Sequence, residues 1–303
     1  MKGYWYIKLL FVISGIMLFV VSCGKDPVFE QGDYIYEHDD FTRVDNINGI
    51  ILHWSDTVDI NEEHKTVIRN LVANLVRVEG GSFMMGAQNA DALGDNYDAD
   101  AHNDENPVHE VTLGDFHIGK YEVTQREWSV IMGFNLEWSD MYGRDDRIPA
   151  YNVTWEQANA FVERLGEMTN LSFRLPTEAQ WEYAARGGSY TQHYRFSGSD
   201  NVDEVAWHKG NVGAALHNVG EKRPNELSLY DMSGSLWEWC ADSYGPYSAA
   251  DCQEPCFVSG SPYVLRGGAW TYLPNYCRVT CRDSYNGNAV SASVGFRVSL
   301  IGR

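Results

Sequence analysis

Residues 173–188 read FRLPTEAQWEYAARGG and carry the signals of a strand end, a helix start and a helix stop. Thr177 is a typical N-cap residue, and Gln180, three residues later, completes a capping box with it. Gly187 follows the helical stretch and favours the left-handed conformation that ends helices. Three further residues share one face at helical spacing and are predicted to be buried: Trp181, Ala184 and Ala185.

The same capping chemistry predicts two more helices. Thr124 is followed by Glu127, and Thr154 is followed by Gln157, each at capping-box spacing. Residues 76–85 alternate as a strand that a Gly-Gly pair interrupts. With 28 glycines, 10 tryptophans and 18 tyrosines, the chain predicts an irregular α+β domain whose long loops are held by aromatic side chains.

Three downstream stretches follow in order: LWEWCAD at 236–242, LRGGAW at 265–270 and GFRV at 295–298. Together with residues 173–188 they closely resemble the formylglycine-generating enzyme, or sulfatase-modifying factor, family. The resemblance implies an irregular, loop-rich fold of α+β class that is related to C-type lectins. We expect one such domain over residues 66–303, because no internal repeat divides this length of chain.

The N-terminus has the pattern of a bacterial lipoprotein signal. Lys2 and Lys8 precede an apolar run that ends in Ser22 and Cys23. The pattern predicts a signal peptide over residues 1–22 and lipid attached to Cys23, with an uncleaved membrane anchor as the alternative. The protein is then expected in the cell envelope, anchored by lipid to a bacterial membrane, with the outer membrane as the expected location and the periplasm or the surface as the side it faces.

Residues 23–65 are predicted to be a lipidated tether and linker that leads into a helix over 62–75. The formal net charge of −19 disfavours nucleic acid and anionic lipid as partners. Residues 91–105 are dense in carboxylates, which indicates a solvated loop or a cation site.

Cysteines after Cys23 are odd in number, so at least one is predicted to be free or paired between molecules. Their disulfide connectivity cannot be derived from spacing, although two of them are close enough to form a local pair, Cys252 and Cys256. The full set is Cys240, Cys252, Cys256, Cys277 and Cys281.

The segment LYDMSGSLWEW at residues 229–239 offers carboxylate oxygens and carbonyls at close spacing, and calcium is bound by such oxygens. The resemblance implies a calcium site formed by Asp231, Gly234, Leu236 and Glu238. The alternative is a buried turn with Glu238 in an ion pair. By the same resemblance, another calcium site is expected near residues 211–212.

The resemblance also bears on catalysis. Oxidases of the family carry two cysteines that bind Cu(I) and convert a cysteine of a Cys-x-Pro-x-Arg substrate motif to formylglycine. Here the second cysteine corresponds to Cys277, whereas Tyr272 stands at the first position, and a phenol does not replace a soft thiolate. Cys281 is the other thiol nearby, but the family places a structural disulfide cysteine close to this position.

Three functions follow as hypotheses. The first is a cell-envelope lipoprotein whose domain binds a protein or glycan, contains calcium and lacks the copper site. The second is a formylglycine-generating oxidase that acts on exported sulfatases, with Cys277 as its catalytic residue and copper as its cofactor. The third is a structural component of an envelope, secretion or gliding assembly. The sequence thus does not decide whether the protein is an enzyme, although Tyr272 at the first copper position argues against activity.

A peptide ligand, if bound, is expected in a groove past Trp270, Tyr272 and Cys277. Arg266 and Arg282 are near enough in sequence to contribute positive charge to that groove. The histidines show no metal-binding helical pattern, and the chain has no Walker loop and no GxSxG elbow.

Overall fold

The computed structural model describes residues 29–31, 34–36, 43–248, 252–253 and 260–301. The described residues form five helices and fifteen short strands. The helices are α1 (Glu62–Ala73), α2 (Gln125–Met132), α3 (Trp155–Thr169), α4 (Glu178–Ala185) and α5 (Val202–Val205).

The strands are β1 (Phe29–Gln31), β2 (Tyr34–Tyr36), β3 (Arg43–Ile47), β4 (Ile50–Leu52), β5 (Leu75–Val78), β6 (Gly81–Met85), β7 (His109–Leu113), β8 (Phe116–Gly119), β9 (Phe173–Arg174), β10 (Trp237–Ser243), β11 (Cys252–Gln253), β12 (Tyr263–Arg266), β13 (Arg282–Tyr285), β14 (Val294–Gly295) and β15 (Ser299–Ile301). They form four small sheets in the orders β1-β2-β3-β4, β5-β8-β15-β9, β11-β7-β6 and β13-β12-β10-β14. This is the predicted irregular α+β architecture.

The predicted helix starts are confirmed. Thr124, Thr154 and Thr177 each accept a hydrogen bond from the backbone N–H three residues on, and each receives the reciprocal capping-box bond. The predicted stop at Gly187 is confirmed as well, because this residue adopts a left-handed conformation with φ of 92°, and Gly133 ends α2 in the same way with φ of 77°.

The cap of α3 supports a first testable prediction. Thr154→Ala removes the acceptor that satisfies the Gln157 N–H at 3.1 Å, so the free energy of unfolding is expected to fall by about 1 kcal/mol. Urea denaturation measures the change. Ser189→Ala, at an exposed position, is the control and is expected to be neutral. An equal effect of both substitutions would show that the cap contributes nothing to stability.

The strand predicted over 76–85 divides at Gly80, as expected. A Cβ built on Gly80 would lie 2.3 Å from the carbonyl oxygen of Leu113, so only glycine fits this crossing. The chain therefore changes sheets here, with β5 pairing with β8 and β6 pairing with β7. No strand pairs with the other side of β6 among the residues that the structure describes.

The predicted tether differs from the structure over residues 43–54. Here β3 and β4 form a hairpin that packs on α1, where Arg69 Nε donates to Asp45 Oδ2 at 2.7 Å and Trp54 Nε1 donates to the same oxygen at 3.1 Å. The two short strands lack a clear hydrophobic alternation, so the sequence does not predict them. Their burial depends on a helix that comes later in the chain. The signal peptide and Cys23 lie outside the described residues, within which no helix has the length and apolar character needed to cross a membrane.

Helix α4 lies at the centre of a buried ionic network. All eight of its residues are buried, including Glu178 and Glu182. Four guanidinium groups with 4% exposure or less pair with buried carboxylates in this part of the molecule. The pairs are Arg266 with Glu182, Arg282 with Glu178, Arg278 with Glu105, and Arg297 with Glu238.

Candidate functional site

The segment predicted to bind calcium turns sharply just before β10. Asp231 and Ser235 have left-handed φ angles of 59° and 61°, and Gly234 has a φ of 77°. A Cβ on Gly234 would lie 2.4 Å from the carbonyl oxygen of Trp207. The residue must therefore be glycine, for conformation and for space.

A carboxylate that the sequence analysis missed lies against this turn. Glu122 is 1% exposed, and its carboxylate accepts a hydrogen bond from Ser235 Oγ at 2.8 Å and from the Leu236 N–H at 2.9 Å. Glu122 lies between β8 and the Thr124 cap. The sequence around it does not indicate its role, because its partners are more than a hundred residues away in sequence. Glu122 thus joins Asp231 and Glu238 in one buried cluster.

The three carboxylates differ in which neighbouring groups stabilise their negative charge. Burial raises the pKa of Glu122 well above its ordinary value, and the negative charges of Asp231 and Glu238 raise it further. Burial also raises the pKa of Asp231 to about 6, although the Gly220 N–H donates to its Oδ2 at 2.7 Å.

Glu238, by contrast, is held on both oxygens. Arg297 donates to each of them at 2.6 Å, and Trp181 Nε1 donates to Oε2 at 2.8 Å. The ion pair that the sequence analysis kept as an alternative for Glu238 is therefore present. One guanidinium thus faces three buried carboxyl groups, and the two that it does not bind, Glu122 and Asp231, have raised pKa values. Carboxyl oxygens that lack a protein cation are the type of ligand that a divalent cation such as calcium binds.

At the other predicted calcium site, near residues 211–212, the side chain of Asn211 is hydrogen-bonded within the protein. Asn211 Oδ1 accepts the His208 N–H at 2.9 Å, and its Nδ2 donates to Ala206 O and to Asp203 Oδ1, both at 3.0 Å. These contacts close the loop around Val212.

Cys277 is fully buried and packs in a small apolar cluster with Phe196, Val205 and Ala206. Burial raises the pKa of its thiol to about 12, although a hydrogen bond from the Gly234 backbone acts in the opposite direction. The thiol is therefore protonated at neutral pH, and the contacts that surround it are apolar.

Tyr272, which the family resemblance aligns with the first copper ligand, is half-buried among rings. Its ring centroid lies 5.6 Å from that of Trp237 and 5.5 Å from that of Tyr276. Burial, with the nearby Tyr285 and Asp283, raises the pKa of its phenol to about 12. A neutral phenol at this position is a poor ligand for monovalent copper.

Cys281 belongs to a different cluster from Cys277. Its sulfur, a carboxylate oxygen of Glu105 and a ring nitrogen of His102 lie within 4.8 Å of one another. Arg278, however, donates to both oxygens of Glu105, at 2.8 and 2.6 Å. The guanidinium therefore already neutralises the carboxylate that a metal ion would need as a ligand. Cys240, Cys277 and Cys281 are free thiols, whereas the Cys252 side chain and Cys256 lie outside the described residues.

The predicted groove is wrong in its charged part. Arg266 is fully buried and Arg282 is 4% exposed, and Glu178 accepts from Arg282 at 2.8 and 2.7 Å. Neither guanidinium reaches a surface, because each neutralises a buried glutamate from α4. Trp270 is also mostly buried, with its Nε1 donating to Ala292 O at 3.0 Å, and Tyr272 is the more exposed of the two aromatic residues.

Residues 61–300 match the sequence profile of the sulfatase-modifying factor enzyme 1-like domain. The chain is 30% identical over 275 residues to the chaperone protein LppX of Paenibacillus barcinonensis, covering 74% of this chain and 88% of that protein. It is 30% identical over 291 residues to the formylglycine-generating enzyme of Streptomyces coelicolor, covering 73% and 87%.

Relatives of this chain also include a protein named as inactive. The inactive C-alpha-formylglycine-generating enzyme 2 of Bos taurus is 25% identical over 287 residues, covering 74% of this chain and 87% of that protein. Among solved structures, Treponema denticola variable protein 1 superposes with a TM-score of 0.64 at 28% identity, covering 75% of this chain and 95% of that one.

Proposed function

Because the chain belongs to the sulfatase-modifying factor family, we propose that it acts as a binding protein on that fold, anchored by lipid to a bacterial cell envelope and without copper oxidase activity. The ligand is a protein or a glycan. The observation that carries the proposal is the pair of residues at the copper positions, where a half-buried phenol, Tyr272, accompanies a single buried thiol, Cys277. One thiol and one phenol do not make a two-thiolate site.

The oxidase remains the competing function, since the Streptomyces coelicolor enzyme is a full-length relative. Mass spectrometry of a Cys-x-Pro-x-Arg peptide, incubated in air with the protein and Cu(I), separates the two. No conversion of the peptide cysteine to formylglycine is expected. Conversion that disappears in Cys277→Ser would establish the oxidase.

Installing the missing thiol tests the reason for inactivity. Tyr272→Cys places a second sulfur at the family's first copper position, so this variant is expected to bind Cu(I) at least roughly a hundredfold more tightly than the unaltered chain. Competition with a chromogenic Cu(I) chelator measures the affinity. Tyr276→Cys, at a neighbouring aromatic position, is the control. Equal Cu(I) affinity of the unaltered chain and Tyr272→Cys would show that Tyr272 is not what prevents copper binding.

We also propose that calcium binds at the turn of Asp231, Gly234 and Leu236, together with Glu122 and with Glu238 as the member that Arg297 already holds. The proposal is supported by two buried carboxyl groups, Glu122 and Asp231, whose pKa values are raised by burial and which pair with no protein cation in the described part of the chain. Bound calcium would supply positive charge that stiffens the turn, with no part in a chemical step. The anchor is tested separately by metabolic labelling with palmitate, which is expected to label the chain and to fail in Cys23→Ser.

A further inference from the structure

A cleft of about 1100 Å³ opens on a face of the domain that the copper positions do not line. One wall is strand β6 with the loop at 94–100, and the other is the segment at 188–195. Tyr183 and Arg186, on α4 and just after it, also line the cleft, as do Val279 and Thr280. Neither Tyr272 nor Cys277 is among the lining residues, so this cleft is separate from the groove considered above.

Among the residues that the structure describes, strand β6 is the edge strand of its sheet, and it lines this cleft. Its other side pairs with β7, with Phe83 opposite Val111 and Met85 opposite His109. Asn96 Nδ2 donates to the carbonyl of Met84 at 2.7 Å and to that of Gly86 at 2.8 Å. In an antiparallel strand the N–H and C=O of alternate residues point to the same side. The N–H and C=O of Ser82 and the N–H of Met84 therefore point away from β7, toward the cleft.

The Asn96 side chain marks where this edge ends. Its amide occupies two carbonyls of the edge, and a parallel bridge between Gln88 and Tyr97 continues the coverage beyond them. At the other end the Gly80 N–H donates to Asp115 Oδ1 at 2.9 Å, so the open part of the edge consists of the N–H and C=O of Ser82 and the N–H of Met84, which have no partner among the described residues. Such a stretch of backbone donors and acceptors is the template on which an extended peptide adds as a strand.

A tyrosine hydroxyl also lies beside the edge strand in the cleft. Tyr183 is 4% exposed, and its ring packs against Phe83 with centroids 5.2 Å apart. Its oxygen would lie 3.0 Å from a Cβ built on Gly81, and it has no hydrogen bond among the described residues. This hydroxyl beside the edge strand is available to a backbone carbonyl or side chain of a bound peptide.

The charges in the cleft favour a positive ligand. Both guanidinium groups are already used: Arg186 pairs with Glu182 at 2.8 Å, and Arg195 bridges Asp98 and Asp100. Four carboxylates line the cleft, and two of them carry no ion pair among the described residues: Asp95 and Asp200. Within the described part of the chain, Asp200 accepts only the Arg195 backbone N–H, at 2.9 Å. Together with the net charge of −19, these two carboxylates without an ion pair attract basic side chains and repel acidic ones.

We propose that this cleft binds an extended, basic peptide segment, which adds to β6 as a further strand of its sheet. Backbone pairing with Ser82 and Met84 supplies affinity that is largely independent of sequence, and Asp95 and Asp200 select lysine or arginine side chains. The inference names a ligand class for the binding role proposed above, on which its biological meaning rests, but the cleft itself does not depend on whether the copper positions are active.

Fluorescence anisotropy with a labelled octapeptide of alternating threonine and lysine tests the proposal, because threonine favours strands and lysine supplies the charge. The comparison peptides are the threonine and glutamate counterpart and a lysine peptide whose backbone is N-methylated at alternate residues. A neutral chitotriose is included as a glycan probe. Formylglycine formation is measured in the same preparation, so that failure of the binding inference is distinguished from failure of the non-catalytic role.

Two variants locate the binding. Ser82→Pro removes the edge N–H and is tolerated on an edge strand, whereas Ser82→Ala keeps the N–H and is its matched control. Asp95→Asn combined with Asp200→Asn removes the free charges, with Glu167→Gln on the exposed face of α3 as the charge control. Thermal denaturation verifies that each variant is folded.

We expect the lysine peptide to bind at least roughly tenfold more tightly than the glutamate and N-methylated peptides, with Ser82→Pro and the double Asn variant each losing that advantage. Affinity is expected to fall in about 0.5 M salt. The proposal is overturned if no peptide binds, if the N-methylated peptide binds equally well, if folded Ser82→Pro binds like Ser82→Ala, or if only chitotriose binds.

Discussion

Arg297→Met is expected to lower the free energy of unfolding by about 3–5 kcal/mol. Arg297 is completely buried and donates to both oxygens of Glu238 and to two backbone carbonyls, Gly119 O at 2.9 Å and Tyr230 O at 3.0 Å. Without the guanidinium, the core would hold the carboxylates of Glu122, Asp231 and Glu238 with no positive charge among them. Chemical denaturation at neutral pH measures the loss.

Matched substitutions separate charge from packing in this result. Arg77→Met breaks an exposed ion pair, with Asp115 at 2.8 Å and side-chain exposures of 62% and 50%, and is expected to cost far less stability because solvent screens this pair. Glu238→Gln in the Arg297→Met background is expected to recover part of the stability, because it removes the stranded charge. No recovery would mean that Arg297 acts through packing alone.

Removing calcium with a chelator at about pH 7.5 is expected to lower Tm by roughly 5–10 °C. The same treatment at about pH 5 is expected to change Tm by less than about 2 °C. Burial raises the pKa of Asp231 from 3.8 to about 6, so protons occupy the proposed site below that pH and compete with calcium. Differential scanning calorimetry with and without added calcium measures both values.

The stability of the metal-free protein should decrease as pH rises, whereas the stabilisation by calcium should increase. Because the pKa of Asp231 is higher in the folded than in the unfolded chain, the folded state binds more protons between about pH 4 and 6. The free energy of unfolding of the metal-free protein therefore falls as pH rises through this window, and the raised pKa of Glu122 acts in the same direction.

Asp231→Asn is the matched variant for this prediction. It is expected to remove the calcium response and to make the metal-free protein more stable at about pH 7.5, since a buried charge is replaced by a neutral amide of similar shape. A calcium response that survives in this variant would place the site elsewhere.

Local chemistry explains which features were predictable from the sequence. The caps at Thr124, Thr154 and Thr177 act within three residues, so their signals are contained in the sequence around them. The division of the strand at Gly80 could also be predicted, because a glycine pair interrupts a strand whatever its neighbours are. The family resemblance then predicted the arrangement of these pieces.

The features that sequence missed depend on partners far along the chain. Glu122 joins the turn before β10 through contacts 113 and 114 residues away. Arg282 is predicted to contribute to a groove because it is near the groove residues in sequence, yet its carboxylate partner lies 104 residues earlier. Residues 43–54 are predicted to be part of a tether for the same reason, because the helix that packs on this hairpin, α1, comes later in the chain.

The four buried guanidinium pairs also bear on what a truncated form of this chain can do. In every pair the carboxylate comes first, and the arginine follows 59 to 173 residues later. A chain that ends before residue 266 has these glutamates without their arginine partners, and enclosing each unpaired charge would cost several kcal/mol. We therefore expect any form that stops before Arg297 to leave this core incomplete.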